Sequence, residues 1–124
     1  MSAFSVALIA RNPRDESVET PPVEALVDSG SELTWLPAPL LTAAGITPRK
    51  RLTFRTATGE LATRDVGYAL LLAEGFETAD EVVFAEPGDS ALLGVRTLEG
   101  FAVVIDPVSH RFVSRVMLVA AGLL

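Results

Sequence analysis

Ala25-Leu26-Val27-Asp28-Ser29-Gly30-Ser31 is an apolar run that ends on a carboxylate, and Trp35-Leu36-Pro37 follows closely. Val23–Val27 is short and β-prone, so Asp28 falls where a buried strand gives way to a tight loop. A lone carboxylate in such a place is costly unless something hydrogen-bonds it. Ser29, Ser31 and the N–H groups of a glycine-bearing turn are suited to that task. A carboxylate held in this way is equipped for acid–base chemistry.

Downstream, Thr34-Trp35-Leu36 is a β-prone piece, and Pro37–Gly45 has the prolines and the terminal glycine of a short helix. Leu52–Thr56 and Leu61–Val66 flank Ala57-Thr58-Gly59-Glu60, which predicts a hairpin with a glycine at its tip. Tyr68–Ala73 and Val82-Val83-Phe84 read as further strands separated by a turn at Glu74–Glu77. Ala91-Leu92-Leu93-Gly94 is expected to open a short helix running through Leu98. Phe101–Ile105 and Phe112–Val119 are expected to form a last hairpin around Asp106-Pro107-Val108-Ser109. Upstream, Phe4–Ala10 is a first strand, followed by a polar turn at Arg11–Glu16. Many short strands and two short helices predict an all-β domain. The triplets Ala25-Leu26-Val27 and Ala91-Leu92-Leu93 form a faint internal echo, in which only the first leads into a carboxylate.

The chain has 124 residues, enough for one domain with a real core and too few for two ordinary ones, so residues 1–124 are read as a single domain. Its hydrophobic content is 49% and its mean hydropathy is +0.40, high for a small monomer and expected of a surface that a second copy covers. The formal net charge of −6, without a basic block, argues against nucleic acid as a partner. Arg49-Lys50-Arg51 is too short for such a patch and reads as a solvated loop. The absence of cysteine excludes disulfides, thiol nucleophiles and cysteine metal sites. The N-terminal apolar run lacks a basic leader, and no run is long enough to span a bilayer. A cytoplasmic protein with no membrane partner is expected.

On four features in order, the chain resembles the aspartic proteases, and among them the single-lobe, retropepsin-like branch in its bacterial form. These are Asp28-Ser29-Gly30-Ser31; Thr34-Trp35-Leu36-Pro37; the glycine-tipped hairpin Thr56-Ala57-Thr58-Gly59-Glu60, which looks like the flap; and Ala91-Leu92-Leu93-Gly94, similar to the family's hydrophobic-hydrophobic-Gly signature. Leu98 and Val103-Val104-Ile105-Asp106 follow in the same order. The sequence departs from the family in having Asp-Ser-Gly where Asp-Thr-Gly is commoner, and in a short, polar flap tip.

The resemblance implies a single-lobe, closed β-barrel working as a two-fold homodimer. It also implies peptide hydrolysis by two aspartates that share a proton. The chain carries one Asp-Ser-Gly, so the second aspartate is expected from another copy. Asp28, Ser29 and Gly30 are then the catalytic segment, and the Ser29 hydroxyl is expected to reach backbone across the axis. Ser31, Glu32, Ala57, Thr58 and Gly59 are expected along an extended polypeptide substrate, and Trp35 beneath the flap. Neither a cofactor nor a metal is implied.

Blander readings exist for each residue. On the tripeptide alone Asp28 reads as a turn residue before Ser-Gly, a reading the later motifs outweigh; Glu32 reads as a solvated loop acid and Gly59 as an ordinary hairpin glycine. His110, the sole histidine, has no Gly-x-Ser-x-Gly elbow to serve and no ligand spacing around it. The alternative to an enzyme is an inactive dimerisation or peptide-binding module with the same lobe. A dimeric structural domain without a groove is a third possibility.

Overall fold

The computed structural model describes residues 3–122; Met1, Ser2, Leu123 and Leu124 lie outside the described residues. The protein is mostly β. Strand β1 (Ser5–Arg11) alternates, with Val6, Leu8 and Ala10 buried. It pairs antiparallel with β2 (Val23–Val27) through Ser5–Leu8 and with β5 (Leu61–Ala73) through Ile9–Arg11. Strands β3 (Thr34–Pro37), β4 (Lys50–Arg55), β6 (Phe76–Ala85) and β7 (Leu92–Leu93) complete a sheet ordered β1-β2-β7-β3-β6-β5-β4. The β1–β5 pairing brings this ladder back to its own first strand. A separate two-stranded ladder joins β8 (Val103–Asp106) and β9 (Arg111–Ser114). No helix among the described residues is long and apolar enough to cross a membrane.

Short helices close two corners. Helix α1 (Ala38–Ala43) starts directly after Pro37 and ends in a Schellman arrangement. The Ile46 N–H reaches the Leu41 carbonyl at 3.0 Å, and the Gly45 N–H reaches that of Thr42 at 2.9 Å. Gly45 takes the positive φ of +76° that this exit requires. Leu41 and Ile46 are both buried, the apolar contact typical of the motif. Helix α2 (Val95–Gly100) begins after Gly94 without a side-chain cap.

Two apolar clusters lie on either side of the end of β6. Val82 and Phe84 point into the main core with Leu8, Leu36, Leu41, Leu71 and Leu93. Val83 faces the other way, with Leu33 and Val66, under Trp35, Leu52 and Phe54. The period of two therefore serves two cores in one strand.

Several expectations need correction. Leu61–Ala73 is one strand of 13 residues, not two. Gly67 is a spacer within it, since a Cβ there would stand 2.6 Å from the Thr47 carbonyl oxygen. Leu92–Leu93 is a strand, and the helix starts only at Val95. The last strand stops at Ser114 instead of reaching Val119; the Arg115 N–H still donates to the Ala102 carbonyl at 2.9 Å, and residues 116–122 are exposed and outside any strand. The apolar echo becomes a physical contact: Leu26 and Val27 pair in parallel with Leu92 and Leu93.

Candidate active site

Strand β7 lies between β2 and β3, parallel to the first and antiparallel to the second. The chain leaves β2 at Asp28, loops, and returns as β3. That loop is tied down at its backbone. The Asp28 N–H donates to the Leu93 carbonyl at 2.9 Å, and the Ser31 N–H to the Asp28 carbonyl at 3.1 Å. The loop carbonyls of Ser31 and Glu32 in turn accept the N–H groups of Val95 (2.8 Å) and Arg96 (3.1 Å). These are the orphan donors of the first turn of α2, which explains why Gly94 needs no capping side chain.

The side chain of Asp28 is half-buried. Its Oδ1 accepts the Gly30 N–H at 2.9 Å, and its Oδ2 accepts the Ser31 hydroxyl at 3.0 Å. Both oxygens are thus oriented by their own loop, as a carboxylate in such a turn requires. Ser29 is exposed, and its hydroxyl makes no hydrogen bond among the described residues. The loop also rests on a buried hydroxyl relay. Thr34 Oγ1 accepts the Gly94 N–H at 3.0 Å and lies 2.6 Å from Thr97 Oγ1, which donates to Asp80 Oδ2 at 2.9 Å. A Cβ at Gly94 would collide with the Leu33 carbonyl, so only glycine fits where α2 meets the loop.

Asp28 opens onto a cleft of about 1140 Å³ between the loop, the β4–β5 hairpin and residues 89–92. Gly30, Ser31 and Glu32 line it on the loop side and Ala57 on the hairpin side. Ser29 and the hairpin-tip residues Thr58 and Gly59 are not among the lining residues. At the tip, Gly59 has φ +89°, its N–H donates to the Thr56 carbonyl at 2.9 Å, and Arg55 Nη1 donates to the Gly59 carbonyl at 3.1 Å. The apolar wall is built by Leu26, Leu33, Trp35, Phe54 and Leu92. Trp35 and Phe54 meet edge to face with ring centres 5.0 Å apart, which sets the indole against the hairpin.

One charged pair in the cleft wall was not foreseen. Arg64 on β5 grips Asp89 through two parallel bonds, Nε to Oδ2 at 2.8 Å and Nη2 to Oδ1 at 3.0 Å. The bond from Arg64 holds the Asp89 carboxyl below its ordinary range. Twenty-five residues separate the two, and no spacing rule connects them. His110 stands elsewhere, stacked on Phe4 with ring centres 5.0 Å apart. No group of three His, Cys, Asp or Glu able to hold a metal exists among the described residues.

A mostly β domain thus carries an Asp-Ser-Gly loop and a glycine-tipped hairpin on two sides of one cleft. The family model described as aspartyl protease matches residues 17–97, which takes in the loop, the hairpin, β7 and the start of α2. The chain belongs to the aspartyl protease family. No curated protein matches it.

Proposed function

We propose that the protein is an aspartic endopeptidase of retropepsin-like form, active as a homodimer in the cytoplasm. The observation that carries this reading is the Asp28 carboxylate, oriented through both oxygens and opening onto a cleft of about 1140 Å³. The ladder that returns to β1 is read as a closed barrel, the lobe of that branch. The chain has one Asp-Ser-Gly, so a two-fold axis beside Asp28 supplies the second aspartate from the other protomer. Ser29, exposed and without a hydrogen-bond partner among the described residues, then faces the axis. The substrate lies as an added strand between loop and hairpin, held by backbone groups near Gly30, Glu32 and Gly59.

The chemistry follows from two like charges brought to about 3 Å, which hold one proton between them. The ionised carboxylate takes a proton from water, whose oxygen attacks the scissile carbonyl carbon. The protonated partner gives its proton to the carbonyl oxygen. Collapse of the tetrahedral intermediate returns a proton to the leaving nitrogen and restores the shared one. Titration belongs to the pair.

Asp28→Asn tests this against a peptide library at mildly acidic pH. Cleavage is expected to fall by at least about a hundredfold; a folded variant that cuts at the wild-type rate refutes the reading. One observation favours a second reading, a peptide-binding module without turnover: Thr58 and Gly59 stand outside the cleft lining. Turnover blocked by a statine-type mimic eliminates it.

A further inference from the structure

The β4–β5 hairpin stands off the sheet. Residues 51–55 pair only with 61–65, and β5 meets β6 only from Val66 onward. Across that arm no backbone ladder reaches the body. Apolar contact comes from Leu52 and Phe54, packed on the small cluster of Leu33, Val66 and Val83. Burial of Leu52 and Phe54 is non-directional apart from the edge-to-face contact of Phe54 with Trp35, and that one ring contact does not by itself fix how far the arm leans over the cleft. The arm's own polar bonds, Arg51 to Asp65, Thr53 to Thr63 and Arg55 to Gly59, stay within it. Among the described residues, every polar side-chain bond from 51–65 to the rest of the chain is made by Arg64. Its partners are Asp89, in the two parallel bonds already given, and Glu86 at 3.7 Å.

The far end of this link is itself anchored. The Glu86 N–H donates to Asp89 Oδ2 at 2.8 Å, and the Asp89 N–H donates to the Glu86 carbonyl at 2.9 Å, closing the 86–89 turn. Two residues on, the Ala91 carbonyl accepts the Leu26 N–H at 3.0 Å, and the Leu93 carbonyl accepts the Asp28 N–H. The Arg64 guanidinium also lies 6.0 Å from the centre of the Trp35 ring. One side chain therefore joins the arm, the aromatic wall and the 86–89 turn that leads into the strand holding Asp28. At 17% and 19% side-chain exposure, the pair is shielded enough to hold its geometry.

We infer that Arg64 and Asp89 are a positioning pair, a latch that sets the stance of the hairpin over the cleft and so the grip on bound peptide. They act through the placement of Phe54 and Trp35. The effect on peptide rests on the proposed function; the latch itself does not.

Trp35 is the sole tryptophan, which makes the test direct. Arg64→Gln, Asp89→Asn, the double variant and Arg64→Lys are compared by acrylamide quenching of Trp35 fluorescence, amide exchange, and peptide KM and kcat. Either single change is expected to raise quenching and to speed exchange in 51–65 about tenfold, the loss of one charged hydrogen-bonded link. The double variant goes no further, Arg64→Lys recovers part of the loss, and β1 and β2 exchange as before. KM rises about tenfold while kcat moves far less. A folded Arg64→Gln with wild-type quenching and exchange in 51–65 overturns the latch, as does an increase spread evenly over β1 and β2. If the wild type cuts no peptide, the proposed function fails alone, because fluorescence and exchange still decide the latch.

Discussion

At the scale of single residues, the site depends on groups that never face the cleft. Thr34 is fully buried, and its hydroxyl both accepts the Gly94 N–H and joins Thr97. Valine has nearly the same shape without the acceptor. Thr34→Val is therefore expected to leave the Gly94 N–H unsatisfied in the core and to destabilise the fold by about 1–3 kcal/mol. Urea denaturation measures that cost, and a change under about 0.5 kcal/mol would show that the relay is dispensable. Gly94 itself admits no alternative, since the Leu33 carbonyl occupies the space of a Cβ. The Asp-Ser-Gly tripeptide was legible because its chemistry is local: two of the groups holding Asp28 lie two and three residues away. The Thr34–Thr97–Asp80 relay was not, because its members come from β3, α2 and β6 and nothing in their spacing links them.

At the scale of elements, local rules carried the reading where both the signal and its cause were local. The hairpin with its glycine at +89° and the Schellman exit at Gly45 are of that kind. They misled where tertiary contact decided. Gly67 looked like a break in a strand, yet it is a close approach of Thr47 within one. Leu92-Leu93 looked like the start of a helix, yet β2 and β3 on either side draw it into the sheet. The hairpin's latch carries a pH limit of its own. Arg64 lowers the folded-state pKa of Asp89 below its ordinary 3.8. Its contribution is thus fully present above that value and is lost as pH falls through the lower, folded one. Trp35 quenching is expected to stay flat through mildly acidic pH and to rise only below about 3.8. Asp89→Asn should show no such acid step. A wild-type step at pH 5 would mean that another group controls the arm.

At the scale of the whole molecule, the chain's apolar excess is concentrated at its end. Val116 is 89% exposed and Leu118 is 94% exposed, beyond the last paired strand. Every residue of β1 has a strand partner, whereas Val116–Val119 lie outside any strand among the described residues. Val104 and Val113, cross-strand neighbours on β8 and β9, are half exposed and extend the same uncovered surface. A surface of this kind on an otherwise well-packed lobe calls for a cover, and a second copy of the chain is the one the proposed mechanism already requires. If each protomer brings half of the acid pair, activity must follow the concentration of dimer and not of chain. Specific activity is then expected to fall on dilution, steeply once the concentration drops below the dissociation constant. Excess Asp28→Asn chain, folded and able to associate, should poison the wild type by forming mixed dimers with a single native aspartate. Val116→Lys with Leu118→Lys should shift sedimentation toward monomer and remove activity while Asp28 stays intact. Full activity from a species that sediments as a monomer, indifferent to added Asp28→Asn chain, would mean that a lone lobe cuts peptide without a symmetry mate.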